Sequence, residues 1–213
     1  SKTTLEIVRQ TARRLFVPLT VGGGVRSAED ARKLLRAGAD KVSVNSAAVA
    51  RPALITELAR EFGSQAVVIA IDAKRVESGY LCPTAGGTTY GVQPAPSAGW
   101  RVFTRSGSQE TPLDALDWAR QAERLGAGEL LLTSIDRDGT RQGFDVELLR
   151  AVNKKAGIPV IASGGAGALQ DFYEALKKGN ADAVLAASVF HFNCLTIGEV
   201  KRYLKEKGIE VRT

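Results

Sequence analysis

The stretch VPLTVGGGVRSAEDARKLLRAGADKVSVNSA, residues 17–47, decides the fold, because a similar stretch returns later as IPVIASGGAGALQDFYEALKKGNADAVLAASV, residues 158–189. The positions that align, the last two pairs after a one-residue insertion, are Pro18 with Pro159, Gly23-Gly24 with Gly164-Gly165, Leu35 with Leu176, Gly38 with Gly179, Asp40 with Asp182, and Ser46 with Ser188. Two βαβ units of one design are what a duplicated half-barrel leaves in a sequence.

Six short apolar runs have the composition of buried parallel strands, and helical patterns lie between them. The runs are 17–22, 41–45, 66–73, 129–136, 158–165 and 183–188. Alternation of strand and helix predicts parallel βα units. We therefore expect an α/β fold of the (βα)₈ TIM-barrel family, with about six βα strands in a single, partial barrel domain spanning 1–213.

Helix signals support this alternation. Ser27 is placed to cap the helix of the first copy, and Thr196 with Glu199 has the spacing of a capping box. Pro112 is expected to open another helix. Glycines and prolines between 76 and 100 predict an irregular insertion there rather than a further βα unit.

Composition limits the classes of function. The net charge is +6, but the basic residues come in pairs along predicted helices, which is typical of solvated helix faces rather than of nucleic-acid binding. No apolar run is long enough for a membrane span. Cys82 and Cys194 lie far apart, and His191 is the only histidine. We therefore expect no metal site and a cytoplasmic location.

The glycine pairs predict phosphate binding. A strand that ends in Gly-Gly and opens into a helix presents free backbone N–H groups to an anion. The first copy, with Gly24, adds Asn45 and Ser46 one strand later, and the second adds Ala187 and Ser188. Two such sites suit a substrate with a phosphate at each end. Tight turns alone remain the alternative explanation for the glycines.

Acidic residues at the ends of strands are the candidates for chemistry. Asp72 ends an apolar strand, so its carboxylate is expected at the carboxyl mouth of the barrel, where a raised pKa suits acid/base work. An ion pair with Lys74 is the alternative role. Asp138 and Gly139 are expected near the second phosphate, whereas Asp136 could pair with Arg137 or cap its loop.

The motifs DKVSVNSAAV, AIDAKRV, GAGELLLTSIDRDGT, IPVIASGGAG and LAASVFHF closely resemble the cyclase family of imidazole glycerol phosphate synthase, in histidine biosynthesis. A sister isomerase family shares the duplicated barrel and a DRDGT-like loop. The resemblance implies that ammonia, delivered by a glutaminase subunit or fused domain, closes the imidazole ring of a bisphosphorylated formimino aminoimidazole carboxamide nucleotide. The products are imidazole glycerol phosphate and the aminoimidazole carboxamide ribotide, and the resemblance implies no metal and no organic cofactor.

Residue roles follow from the resemblance at matching positions. Asp72 matches one of the family's two acid/base carboxylates. The positions that match phosphate contacts are Gly24, Asn45 and Ser46 at one end, and Asp138, Gly139, Gly164, Gly165, Ala187 and Ser188 at the other. On the opposite face of the barrel, Lys41 and Glu129 match the ammonia entrance and Asp40 matches the glutaminase contact. Surface ion pairing is the alternative role for these three.

The family's barrel begins with a strand, helix and strand that carry its second catalytic aspartate, and the match to this chain starts after them. Six strands cannot close an eight-stranded barrel, so we expect open sheet edges. One hypothesis is that the sequence is a fragment of a full cyclase, which the expected open sheet edges favour. The other is a partial barrel that binds phosphorylated ligands or a partner without catalysis.

Overall fold

The computed structural model describes residues 2–77 and 99–212, so nearly all of the predicted insertion at 76–100 lies outside the described residues. The helices are α1 (Lys2–Ala12), α2 (Ala28–Arg36), α3 (Ser46–Ala50), α4 (Ala53–Phe62), α5 (Ala115–Arg124), α6 (Val146–Asn153), α7 (Leu169–Lys177), α8 (Ser188–His191) and α9 (Ile197–Glu206). The strands are β1 (Thr20–Gly22), β2 (Lys41–Val44), β3 (Val67–Val76), β4 (Gly99–Thr104), β5 (Gln109–Asp114), β6 (Glu129–Ser134), β7 (Val160–Ser163) and β8 (Ala183–Leu185).

A curled parallel sheet forms the centre of the molecule, with the order β1-β2-β3-β6-β7-β8. Strand β3 lies in its middle and pairs with β2 on one side and β6 on the other. Within the described residues, β1 and β8 each pair with one neighbour only, so the path is open at both ends. The α/β class and the six parallel strands of the sequence analysis are confirmed.

Buried apolar side chains of the helices cover the sheet. In α4, Leu54, Ile55 and Leu58 share one helix face and are fully buried. Trp118 of α5 and Phe172 of α7 are also almost fully buried. Burial of each such side chain contributes about 2 kcal/mol to folding. This packing fixes the strands from behind, so the loops at their carboxyl ends are presented on a rigid base.

The count of six strands misses an antiparallel hairpin. Strand β4 pairs antiparallel with the end of β3, with Asp72 opposite Phe103, and β5 pairs antiparallel with β4. The total among the described residues is therefore eight strands. Because β4 lies beside β3 beyond the point where β2 ends, the hairpin stands over the carboxyl edge of the sheet.

The prediction that Pro112 opens a helix is wrong. Pro112 lies within β5, which pairs only with β4 among the described strands. Proline lacks the N–H that a central strand needs for pairing on both sides, but an edge strand can do without it. Helix α5 begins three residues later, at Ala115. Its cap is Asp114, whose Oδ1 accepts hydrogen bonds from the backbone N–H groups of Leu116 (2.9 Å) and Asp117 (3.0 Å).

The duplication is visible in matched hydrogen bonds between side chains and backbone. Asp40 accepts from the N–H of Leu19 at 2.7 Å, and its counterpart Asp182 accepts from Val160 at 2.8 Å. Each aspartate directly precedes one strand, and its carboxylate holds the start of the neighbouring parallel strand. We call this pair of contacts the aspartate staples.

A second matched contact lies at the glycine turns. Asp30 accepts from the N–H of Arg26 at 3.1 Å, and Asp171 accepts from Gly167 and Ala168 at 2.8 Å each. Both aspartates lie in the first turn of the helix that follows a glycine pair, so each carboxylate ties the loop to its helix. The two βαβ units therefore share local contacts as well as a sequence pattern.

Candidate active site at the carboxyl edge of the sheet

Two cavities lie at the carboxyl edge, one for each copy of the duplicated unit. The first has a volume of about 820 Å³, and its lining includes Gly23, Gly24, Asn45, Ser46 and Asp72. The second has a volume of about 150 Å³, and its lining includes Asp138, Gly139, Gly164, Gly165, Ala187 and Ser188. The structure thus brings the residues predicted for the two phosphate sites together around two cavities, and the predicted acid Asp72 lines the first of them.

In the first copy, the glycine turn faces open space. Gly23 and Gly24 have φ angles of +87° and +81°, a region that glycine enters without strain. A Cβ added at either position would meet nothing within 4 Å. Backbone conformation therefore requires glycine here, while the space beside it belongs to the cavity and is free for a ligand.

In the second copy, the glycines are also needed for packing. Gly164 and Gly165 have φ angles of +89° and +106°. A Cβ on Gly164 would lie 2.9 Å from the carbonyl oxygen of Ser134, and one on Gly165 would overlap the carbonyl oxygen of Gly143. Tight backbone packing is sufficient to explain this second pair, whereas it does not explain the first.

Asp72 lies in β3 at the wall of the first cavity, and its carboxylate Oδ2 accepts a hydrogen bond from Asn45 Nδ2 at 2.9 Å. Burial raises the pKa of the Asp72 carboxyl above its ordinary value, the Asn45 hydrogen bond opposes that shift, and the charge of Asp138 adds to it. Within the described residues Asp72 forms no ion pair, so the alternative role with Lys74 is not observed. A half-buried acid with a raised pKa can take up and release a proton under mild conditions.

Asp72 is expected to destabilise the fold at neutral pH. Because folding raises the pKa of this carboxyl, its ionised form is penalised, and the penalty disappears as the pH falls through that raised pKa. Asp72→Asn should therefore unfold at a higher urea concentration than the unchanged protein at neutral pH, with the difference narrowing in acid. Asp136→Asn, at an exposed carboxylate of the same edge, is the control. Equal midpoints for Asp72→Asn and the unchanged protein at every pH would contradict the expectation.

The DRDGT turn follows β6 and leads to the second cavity. Of the two roles expected for Asp136, pairing with Arg137 is not observed among the described residues: its Oδ2 accepts from the backbone N–H of Arg75 at 2.8 Å. Asp138 is exposed beside Gly139, whose φ is +74°. The side chain of Asp138 is therefore available to a ligand in the second cavity, whereas Asp136 holds β3 to the turn.

The three residues predicted for the opposite face lie at or next to strand starts. Lys41 begins β2 and Glu129 begins β6, and their side chains form a partly buried ion pair across the start of β3. Asp40 directly precedes β2, and its carboxylate forms the first aspartate staple. All three are thus at the amino end of the sheet, away from Asp72.

Sequence reasoning missed the contribution of the hairpin to the first cavity. Arg105 and Ser106, in the turn between β4 and β5, line it together with Arg26. The signal was present, since WRVF has the aromatic and β-branched composition of a strand and RSGS the composition of a turn. The link between Asn45 and Asp72 had no signal in the sequence.

Two classes of site are not seen among residues 2–77 and 99–212. No group of three or more histidine, cysteine, aspartate or glutamate side chains in these ranges is arranged to hold a metal ion. No helix described there has the length and apolar character needed to cross a membrane.

Comparison with known proteins agrees with the motifs and the geometry. A model of the histidine biosynthesis protein family matches residues 1–196. The imidazole glycerol phosphate synthase subunit HisF of Thermobifida fusca is 54% identical over 211 residues, covering 99% of this chain and 77% of that protein. The subunit of the same name from Metallosphaera sedula is 53% identical over 212 residues, covering 100% of this chain and 76% of that protein. The predicted resemblance and its barrel fold class are confirmed, and the chain belongs to the histidine biosynthesis protein family.

Proposed function

We propose that this protein is the cyclase of imidazole glycerol phosphate synthase and acts in histidine biosynthesis. It uses ammonia to close the imidazole ring of the bisphosphorylated formimino nucleotide and releases imidazole glycerol phosphate and the aminoimidazole carboxamide ribotide. The observation that carries the proposal is the position of Asp72, a half-buried carboxylate at the edge between two glycine turns related by duplication. The relatives named above support it at more than half identity.

In this proposal, Asp72 serves as an acid/base group. Its raised pKa and its position at the cavity wall suit proton transfer to and from the nitrogen atoms of the closing ring. Asn45 holds the carboxylate in place through its amide N–H. Ring closure needs more than one proton transfer, so a second acid/base group has to act with Asp72.

The two cavities hold the two phosphates. Gly24, Asn45 and Ser46 bind one of them, with the Gly24 backbone open to the larger cavity. Asp138 orients the substrate at the smaller cavity, and the residues around the second phosphate are Gly139, Gly164, Gly165, Ala187 and Ser188. Helices α2 and α7, which follow the glycine turns, direct the positive ends of their dipoles to these sites.

Ammonia arrives from a glutaminase subunit or fused glutaminase domain at the amino end of the sheet. The partly buried Lys41–Glu129 ion pair, across the start of β3, lies at the point where ammonia would enter the barrel. Asp40 lies on the same face, although its staple to Leu19 gives the carboxylate a structural role as well. We further propose that residues 1–213 form a single domain and that the protein works in the cytoplasm on its small-molecule substrate, without nucleic acid or membrane.

The direct test is turnover of the bisphosphorylated nucleotide by the purified protein with ammonium salt as the nitrogen source. We expect loss of the formimino chromophore together with formation of both products in equal amounts. A parallel reaction without ammonia is the control, because ring closure requires the added nitrogen. Binding of the nucleotide with no ammonia-dependent turnover would instead support the partial barrel that binds phosphorylated ligands without catalysis.

A further inference from the structure

We propose that Arg105, in the turn between β4 and β5, binds the phosphate at the first cavity and makes this the stronger of the two phosphate sites. The inference rests on the proposed function, since it adds a residue to one of its phosphate sites. Arg105 belongs to a part of the chain with no counterpart in the duplicated units, so the duplication does not predict it.

The hairpin is joined directly to the phosphate-binding residues. The backbone N–H of Arg105 donates a hydrogen bond to Ser46 Oγ at 3.0 Å. Ser46 is also one of the proposed phosphate contacts and lines the same cavity. Arg105 is therefore in direct contact with a residue of the proposed phosphate site, although it lies 59 positions from Ser46 in the sequence.

The turn holds Arg105 in a defined conformation. Its φ is +52°, in the left-handed region that few residues other than glycine adopt. The carbonyl oxygen of Arg105 accepts from Ser108 Oγ at 2.7 Å, which closes the turn. A residue held in this way at both its N–H and its C=O presents its side chain from a fixed base.

The charge at the first cavity is unbalanced. Arg26, Arg51 and Arg105 line it, and Asp72 is the single carboxylate among the described lining residues. Arg51 is paired with Glu57, whereas Arg26 and Arg105 form no ion pair within the described ranges. A cavity with two unpaired guanidinium groups favours a dianion, and a guanidinium fork matches phosphate oxygens in pairs.

The second cavity differs from the first in its charge and in having no contact with the hairpin among its described lining residues. Arg141 is the arginine of its lining, and its guanidinium carbon lies 5.9 Å from the centre of the Phe192 ring. Asp138 adds a negative charge to the same lining. No residue of the hairpin reaches it among the described lining residues. The two ends of the substrate site are thus alike in backbone and unlike in charge.

The test is a titration with inorganic phosphate, in which the backbone amide signals of Gly24 and Gly165 report the two sites separately by NMR. Arg105→Gln should raise the dissociation constant at Gly24 about tenfold, as expected for loss of a charge-assisted hydrogen bond, and leave that at Gly165 unchanged. Arg105→Lys should give a smaller loss, because it keeps the charge without the fork. Arg124→Gln, which removes an exposed charge at the end of α5, is the matched control.

With the nucleotide as substrate, Arg105→Gln should raise KM about tenfold and leave kcat nearly unchanged, since Arg105 binds ground state and transition state alike. An unchanged phosphate affinity at Gly24 in Arg105→Gln would overturn the inference, and so would an equal loss in Arg124→Gln. The titration needs no turnover, so an unchanged protein that binds phosphate but does not catalyse would refute the proposed function while still deciding the role of Arg105.

Discussion

Asp72→Asn is expected to lower kcat for ammonia-dependent ring closure by a factor of about 10² to 10⁴, the usual contribution of a positioned acid/base group. Asparagine has nearly the same shape and can still accept the hydrogen bond from Asn45, but it cannot exchange a proton. KM for the nucleotide should therefore change little. The measurement is steady-state turnover with ammonium salt at saturating nucleotide.

Asp136→Asn is the matched control for this experiment. Asp136 lies at the same edge of the sheet, and its side chain accepts a backbone N–H, which an asparagine oxygen can also do. Its turnover should stay within a few-fold of that of the unchanged protein. Comparable losses in both variants would mean that the effect comes from disturbance of the edge rather than from proton transfer at Asp72.

Gly165→Ala is expected to destabilise the protein by about 3 kcal/mol and to abolish binding at the second cavity. The added Cβ would overlap the Gly143 carbonyl oxygen, and the φ of +106° adds strain. The loop could accept the methyl group only by moving away from Gly143, whose N–H donates to the Gly165 carbonyl at 2.8 Å. Urea unfolding followed by circular dichroism measures the loss.

Gly24→Ala is the comparison that separates strain from overlap. Gly24 has a φ of +81°, yet a Cβ there would meet nothing within 4 Å. Its loss of stability should be about 1 kcal/mol, the cost of the left-handed conformation alone. If both alanine variants lost the same stability, packing against Gly143 would contribute nothing and the assigned difference between the two glycine turns would be wrong.

The parallel part of the fold was predictable because its signals are local and repeated. Apolar runs, glycine turns and helix caps recur with the same spacing in the two units, and the caps at Ser27 and Thr196 form as the sequence indicates. Asp30 and Asp171 repeat the same contact in three dimensions. Because the same pattern occurs twice, the sequence alone was sufficient to predict the parallel βα units.

The hairpin was missed because its sequence pattern allows more than one structure. Pro112 is favourable at a helix start and also acceptable on an edge strand, and the choice depends on which neighbour covers that strand. The identity of that neighbour depends on tertiary structure and cannot be read from the local sequence. The glycines and prolines after Val76 also indicate irregular structure, and the short run that forms β4 follows directly after them.

The candidate site was predictable in its grouping but not in its connections. Strand ends on one edge predict that Asp72, Asn45 and the first glycine turn lie together, and the structure places them around one cavity. The hydrogen bond between Asn45 and Asp72 joins side chains 27 residues apart and has no local signature. The contact of Asp136 with Arg75 had no local signature either, since Arg75 donates through its backbone N–H and lies 61 residues away in the sequence.

The aspartate staples have a consequence for how the chain acquires its structure. Asp40 reaches back 21 residues to Leu19, and Asp182 reaches back 22 residues to Val160, so each contact closes entirely within its own βαβ unit. A contact within one unit closes a smaller loop than a contact between the two units, so it costs less chain entropy. We therefore expect each unit to behave as a cooperative folding block, with strands β3 and β6 together joining the two blocks in the sheet.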